Sequence, residues 1–189
     1  TYGFSAQADY AAEEVEVLEG RMRFVEKRRG EVMGNLDLAM IGRHNILNAL
    51  AAIAVAEEVG VDFSIAAQAL GSFEGIGRRF EIKGEARGVL VVDDYGHHPA
   101  EIRATLEAAR EAYRRRLVGA VQPHRYSRTR DLLAEFAGAF NASDFLVVGD
   151  IFAASEEPIP GIDAEALIQT IRQHGHQYVV HGGDLEAMV

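Results

Sequence analysis

The chain has 189 residues, 48% of them hydrophobic and 25% charged, the balance of a globular fold with one large domain or two small ones. It contains no cysteine, which excludes disulfides and thiolate metal sites, and its net charge of −10 argues against a general nucleic-acid or membrane-surface binder. Thr1 to Asp9 has no basic start and no apolar run, and no apolar stretch approaches the roughly 20 residues that span a bilayer. A cysteine-free chain is compatible with a reducing compartment, and the expectation is a cytoplasmic protein. The chain opens without methionine and already in a strand pattern, so a piece of a longer protein is expected.

Tyr10–Leu18, Arg21–Lys27 and Glu31–Ile41 read as strands, punctuated by Gly20, Gly30 and Gly34. His44–Val59 reads as a helix that is apolar nearly all round (Ile46, Leu47, Leu50, Ala52, Ile53, Val55) and therefore buried between layers; Gly60 ends it. A short helix at Ser64–Leu70 leads into the Gly71–Gly77 segment, where a boundary divides residues 1–76 from 77–189. Beyond it strand and helix alternate. The strands are Val89–Val92, Leu117–Val121, Phe145–Val148 and Gln177–Val180. The helices are Pro99–Arg115, with Ile102, Leu106, Ala109 and Tyr113 on one face, Thr129–Phe140, striped by Leu132, Phe136 and Phe140, and Asp163–Gln173. That order predicts an α/β fold with a parallel sheet and helices on both faces, preceded by a smaller unit of strands plus helices.

In open α/β sheets, ligands bind beyond the carboxyl ends of the strands. Polar clusters follow Val92 (Asp93-Asp94-Tyr95-Gly96-His97-His98), Val121 (Gln122-Pro123-His124-Arg125-Tyr126-Ser127-Arg128) and Val148 (Gly149-Asp150), and parallel strands would bring them to one edge. Two adjacent acids can accept from ribose hydroxyls or help hold Mg2+, and the helix opening at Pro99 turns N–H groups to the same place. The plainer role for one Asp or His is to cap that helix. His97 and His98 do not suggest zinc, because adjacent histidines rarely reach one ion and no third ligand stands at a helical spacing; no metal site is assigned.

His124, Arg125 and Arg128 surround one turn, and arginine forks match carboxylate and phosphate. Cations at a helix start oppose its dipole, so an anion should compensate, Asp131 in part. Arg78 and Arg79, beside Phe80 and Glu81, are candidates to clamp a phosphate, against a plain salt bridge to Glu81 or Glu85. His44 and Asn48 share a face at the start of the first helix; with Asn45 they either cap it or recognise a base such as adenine, and spacing does not decide. No G-x-x-x-x-G-K-[ST] loop is present, neither Lys27 nor Lys83 follows a glycine-rich turn, and Gly75-Ile76-Gly77 does not complete a dinucleotide fingerprint.

Several of these runs carry a family resemblance. Gly42-Arg43-His44-Asn45-Ile46-Leu47-Asn48-Ala49 resembles the G-x-H-N-x-x-N motif of the Mur ligases, and Gly77-Arg78-Arg79-Phe80-Glu81 their interdomain arginine motif. Residues 93–99 and 122–129 look like the signatures of the member that adds L-alanine, and Thr1-Tyr2-Gly3-Phe4-Ser5 also fits its central domain. The resemblance covers essentially the whole chain. It implies a complete enzyme with a UDP-sugar domain, a central ATPase domain carrying a P-loop, and a C-terminal Rossmann-like domain. Residues 1–76 would be the later central domain and 77–189 most of the C-terminal one.

The implied reaction is amide formation. ATP phosphorylates the carboxylate of UDP-N-acetylmuramate, the amine of L-alanine attacks the acyl phosphate, and phosphate leaves. By motif, His44, Asn45 and Asn48 would face adenine, Arg79 with Arg78 the γ-phosphate, and Asp94 the ribose. Tyr95, His97, His124, Arg125 and Arg128 would line the pocket for the amino acid and acyl phosphate. The implied partners are ATP, UDP-N-acetylmuramate and L-alanine, with Mg2+ ligated mostly by parts that have no counterpart here, and with neither nucleic acid nor membrane; oligomeric state is left open. Without a P-loop, these residues alone are expected not to turn over ATP. Two rival readings are a sibling ligase that attaches a recycled peptide, in which Phe-Ala is expected where Tyr95-Gly96 stands, and a non-catalytic nucleotide-binding module.

Overall fold

The computed structural model describes every residue except Glu19, Leu185, Met188 and Val189. Contacts divide the chain into two units, Thr1–Tyr95 with Glu111–Tyr113, and Gly96–Arg110 with Arg114–Val189.

The first unit is built on a sheet of order β1-β2-β3-β4, formed by Tyr2–Gly3, Tyr10–Leu18, Arg21–Arg28 and Glu31–Leu38. The β2–β3 and β3–β4 pairs are antiparallel. Period-two alternation turns Met22, Phe24, Leu36 and Leu38 to one face. There they meet Ile46, Ala49, Leu50 and Ile53 of α1 (Arg43–Glu58) and Ala66 of α2 (Phe63–Ser72). The expectation that α1 is buried between layers does not hold: Val55 is 65% exposed and Arg43, His44 and Asn48 face solvent, so α1 is an ordinary one-sided helix.

Val89–Val92 was expected to open the parallel sheet. It instead forms β6 (Val89–Asp93), paired antiparallel with β5 (Glu81–Ala86) in a separate two-stranded sheet. The turn between them uses left-handed backbone at Arg87 (φ 52) and Gly88 (φ 77), which suits the twist of a tight hairpin.

The second unit holds the parallel sheet β7-β8-β9, from Val118–Val121, Phe145–Gly149 and Val179–Gly183. Val121, Leu146, Val148 and Val179 face a core shared with α3 (Pro99–Ala112), α5 (Leu133–Ala137) and α6 (Ala164–Gln173). On the opposite face Val118 and Val180 remain 55% and 40% exposed. The α/β class and the parallel sheet with its packed helices therefore stand. The helix expected over Thr129–Phe140 is two pieces, α4 (Tyr126–Asp131) and α5, broken at Leu132 with φ −114 and ψ 21.

Two stability predictions follow from these cores. Phe136 is fully buried, and Phe136→Ala should cost about 3–5 kcal/mol by chemical denaturation, from lost transfer energy plus the cavity left behind; a change near zero would show that the second unit's core lies elsewhere. Glu26 shares the core face of β3, is 0% exposed, and neither carboxylate oxygen has a hydrogen-bond partner. Burial raises its pKa, Arg28 opposes that, and Glu57 adds to it. A carboxyl with a raised folded pKa loses stability as pH climbs from its unfolded value through its folded one. Glu26→Gln should therefore melt higher than the parent above that window, with the advantage shrinking on acidification. Melting curves that stay parallel from acid to neutral pH would contradict this.

Candidate functional site

The first cluster forms around the start of α1. Gly42 precedes the helix at φ 99 and offers no side-chain cap. Asn45 Nδ2 donates back to Ile41 O at 2.8 Å, and Asn48 Nδ2 donates to Asn45 Oδ1 at 3.3 Å, so both amides are engaged locally without capping a helix N–H. His44 meets solvent, yet surrounding protein lowers its pKa by desolvation first; Asp94 opposes this and Arg79 reinforces it. His44, Arg79 and Asp94, spread over fifty residues of sequence in round terms, thus share one electrostatic neighbourhood.

The turn at 77–80 is tied to the end of β6. Phe80 N donates to Asp94 Oδ2 at 2.9 Å, Tyr95 N to Arg78 O at 2.7 Å, and Arg78 N to Glu81 Oε2 at 2.8 Å. Arg78 Nε stands 3.3 Å from Asp93 Oδ2 and its guanidinium lies 4.9 Å over the Tyr95 ring. Both Arg78 (φ 59) and Phe80 (φ 50) adopt left-handed backbone, which these bonds hold in place. Arg78 is committed to Asp93 and Tyr95, and the expected ion pair with Glu81 is a backbone contact instead.

The second cluster lies in the other unit, at the carboxyl end of the parallel sheet. Glu101 Oε2 accepts from His97 N and His98 N, each at 3.1 Å, and His98 Nδ1 accepts from Ala100 N at 3.2 Å. His98 and Glu101 thus cap α3, the plainer of the two roles considered from sequence. The His97 ring lies 6.0 Å from that of His124, so His97 stands beside the 122–128 turn of the same unit.

The loop after β7 is zipped to the loop after β8. His124 and Phe152 form a parallel bridge, Arg125 N donates to Phe152 O and Phe152 N to Pro123 O, both at 2.8 Å, and the two rings sit 5.4 Å apart. Arg128 Nη1 reaches His124 Nδ1 and His124 O, both at 3.4 Å. Because a guanidinium only donates, this contact is made by the tautomer in which His124 Nδ1 accepts and Nε2 carries the proton. Desolvation, then Arg128, Arg125 and His97, lower the His124 pKa, with Glu156 opposing. Asp131, expected to offset the cations at this helix start, pairs with Arg130 at 2.7 Å. The anion that does so is Glu156, which accepts from Ser127 N at 2.9 Å and Ser127 Oγ at 2.5 Å. Asp150 Oδ1 meets His181 Nε2 at 2.8 Å on the same strand ends.

Phe152, Glu156 and His181 are site neighbours that sequence reading did not reach. The Gly149-Asp150 strand end pointed to this loop, but nothing in the spacing shows that Glu156, six residues beyond Asp150, folds back to Ser127. Among the described residues, no group of three or more His, Asp or Glu is placed to hold a metal ion, and no helix is long and apolar enough to cross a membrane.

A parallel sheet whose strand-end loops carry an arginine–histidine turn places that turn where open α/β sheets bind ligands. The chain matches the Mur ligase middle domain over residues 1–56 and the Mur ligase glutamate ligase domain over residues 78–189, and it belongs to the Mur ligase family. Relatives named UDP-N-acetylmuramate–L-alanine ligase include that of Anaeromyxobacter dehalogenans, 57% identical over 179 residues, covering 95% of this chain and 39% of the relative. That of Geobacter sulfurreducens is 51% identical over 189 residues, covering 100% and 41%. The chain therefore spans about two-fifths of the length of these relatives. The crystal structure of the Thermotoga maritima UDP-N-acetylmuramate–alanine ligase matches with TM-score 0.77 at 29% identity, over 95% of this chain and 39% of that one. A murein peptide ligase from Psychrobacter arcticus matches with TM-score 0.59 at 27% identity, over 95% and 38%.

The electrostatics of the turn lead to a titration test. By NMR, the His124 ring should titrate below the ordinary histidine value, and Arg128→Ala should move it upward by removing a facing cation. An unmoved or falling midpoint in the variant would contradict the assigned contact.

Proposed function

We propose that this chain is the later middle domain and most of the C-terminal domain of an ATP-dependent, cytoplasmic ligase that joins L-alanine to UDP-N-acetylmuramate in peptidoglycan synthesis. The observation carrying this reading is the 57% identity, over 95% of the chain, to a protein of that name. The boundary after Ile76 belongs to the same reading, because the glutamate ligase domain match begins at residue 78.

In this reading Asn45, Asn48 and His44 face the adenine of ATP, Asp94 the ribose, and Arg79 the γ-phosphate. Arg78, engaged by Asp93 and Tyr95, positions that turn. Arg125 and Arg128 hold the amino acid's carboxylate, and Tyr95, His97 and His124 line its surroundings. With its proton on Nε2, His124 donates to the oxygen that gains charge as the amine attacks. The C–N bond forms as the C–O bond to phosphate breaks, the electron pair leaves with phosphate, and the proton lost by the amine nitrogen passes to the departing phosphate or to solvent. Magnesium, which would neutralise phosphate charge, has no ligand set among the described residues, and no step here is assigned to it.

The test is amine-dependent phosphate release by the intact ligase that contains this chain. L-Alanine should support release in the presence of ATP and UDP-N-acetylmuramate; release with a tripeptide and not with L-alanine would assign the protein to the sibling peptide ligase instead. Arg79→Ala should lower kcat by about 100-fold or more while leaving sugar-nucleotide affinity nearly unchanged, since a γ-phosphate contact acts on developing charge. Equal turnover in the variant would remove Arg79 from the phosphate site.

A further inference from the structure

The turn that bears His124, Arg125 and Arg128 does not hold its own shape. Arg125 sits at φ 74 and ψ 136, outside the ordinary range for a residue with a Cβ, and its side chain makes no capping bond. The helix it opens, α4, has six residues, too short to be stable by its own hydrogen bonds. One guanidinium, that of Arg125, stands at its positive end, which the helix dipole disfavours, while Arg128 falls in its last turn. Something outside must satisfy the first N–H groups, supply negative charge, and fix the strained backbone.

The loop after β8 meets these needs, Phe152 by holding the Arg125 backbone and Glu156 by supplying the charge. Glu156 lies 29 positions beyond Ser127 in sequence and accepts from both its backbone N–H and its hydroxyl. Those bonds, with the cations of the turn, hold its carboxyl below the ordinary range: the Ser127 hydroxyl contributes most and Arg125 adds a coulombic share. The donor loop is itself strained, with Ala154 at φ 48 and Ser155 at φ 69 just before Glu156. Between Arg125 and Glu156 the two loops are locked by the reciprocal bonds of Phe152 with Pro123 and Arg125. Left-handed backbone on both sides of such a lock persists only where the surroundings over-determine it, and such strain gathers at working sites.

We propose that Glu156 is a positioning residue for amino-acid binding: by capping α4 at Ser127 it sets the direction of Arg125 and Arg128 and so the seat of the incoming carboxylate. This rests on the ligase reading above. The cap's hydrogen bonds go to Ser127 and the adjoining backbone, and its charge reaches Arg125 only through space. Glu156 therefore stabilises the cationic turn without occupying its forks, and they keep their geometry for a carboxylate ligand.

The experiment uses the intact ligase and the variants Glu156→Ala, Glu156→Gln and Ser127→Ala. Glu156→Ala should raise KM for L-alanine by about tenfold or more, as expected when a binding fork is misaimed, with KM for ATP and the melting temperature close to the parent's. Glu156→Gln keeps an acceptor without the charge, and Ser127→Ala keeps the backbone bond; both should fall between parent and Glu156→Ala. A second readout does not need turnover: the His124 titration midpoint should drop in Glu156→Ala, because Glu156 raises it. If KM for L-alanine stays at the parent value, or if all Michaelis constants and the melting temperature worsen together, Glu156 is only a structural cap and the proposal falls. If the parent uses a tripeptide and not L-alanine, the ligase reading fails separately, and the KM comparison is then made with the tripeptide amine.

Discussion

The parallel pairing of β7 with β8 is the constraint on which the second unit's chemistry depends. Val118 to Val121 run in register with Phe145 to Val148, so the chain leaves both strands at the same edge. That register makes neighbours of two loops whose sequences have nothing else in common. The bridge between His124 and Phe152 continues the pairing one step past the sheet, and Glu156 closes the far end onto Ser127. Burial of Leu146, Val148 and Val179 against α5 and α6 supplies the free energy that holds this rim, and the polar rim contributes specificity rather than stability.

Much of this was legible in the sequence. The alternation over Arg21–Lys27 and the helical pattern over Asp163–Gln173 match β3 and α6, although nothing in the sequence shows that the charged Glu26 joins the buried face of β3. The reading failed where a tertiary partner decided the outcome. Val89–Val92 is an uninterrupted apolar run, which reads as a buried parallel strand, but its partner Glu81–Ala86 is charged and interrupted by Gly84, so it left no strand signature. The turn between them is Arg87-Gly88, not the Asn-Gly or Asp-Gly pair that announces a tight hairpin. The break at Leu132 has no glycine or proline to signal it; it arises where α5 turns Phe136 into the core.

The candidate residues divide along the same line. Motif spacing was enough to place His44, Asn45 and Asn48 on one helix start and His124, Arg125 and Arg128 on one turn. It could not say that His98 and Glu101 are occupied as caps of α3, that Arg78 is spent on Asp93 and Tyr95, or that the compensating anion comes from a distant loop. These are competitions among nearby donors and acceptors, settled by geometry. The strained backbone at Arg78, Phe80 and Arg125 falls on motif residues in both units, which is where a fold accepts local cost in exchange for a fixed side-chain direction.

The central claim is that the turn after β7, flanked by His97, is where the amino acid binds. The most direct measurement is NMR of the intact ligase, saturated with UDP-N-acetylmuramate and a non-hydrolysable ATP analogue and then titrated with L-alanine. The ring signals of His97 and His124 and the Nε signals of Arg125 and Arg128 should shift together and saturate at one L-alanine concentration, while His174 and Arg172, elsewhere in the same unit, stay put. Saturable L-alanine binding that leaves the signals of the 122–128 turn unmoved would contradict it.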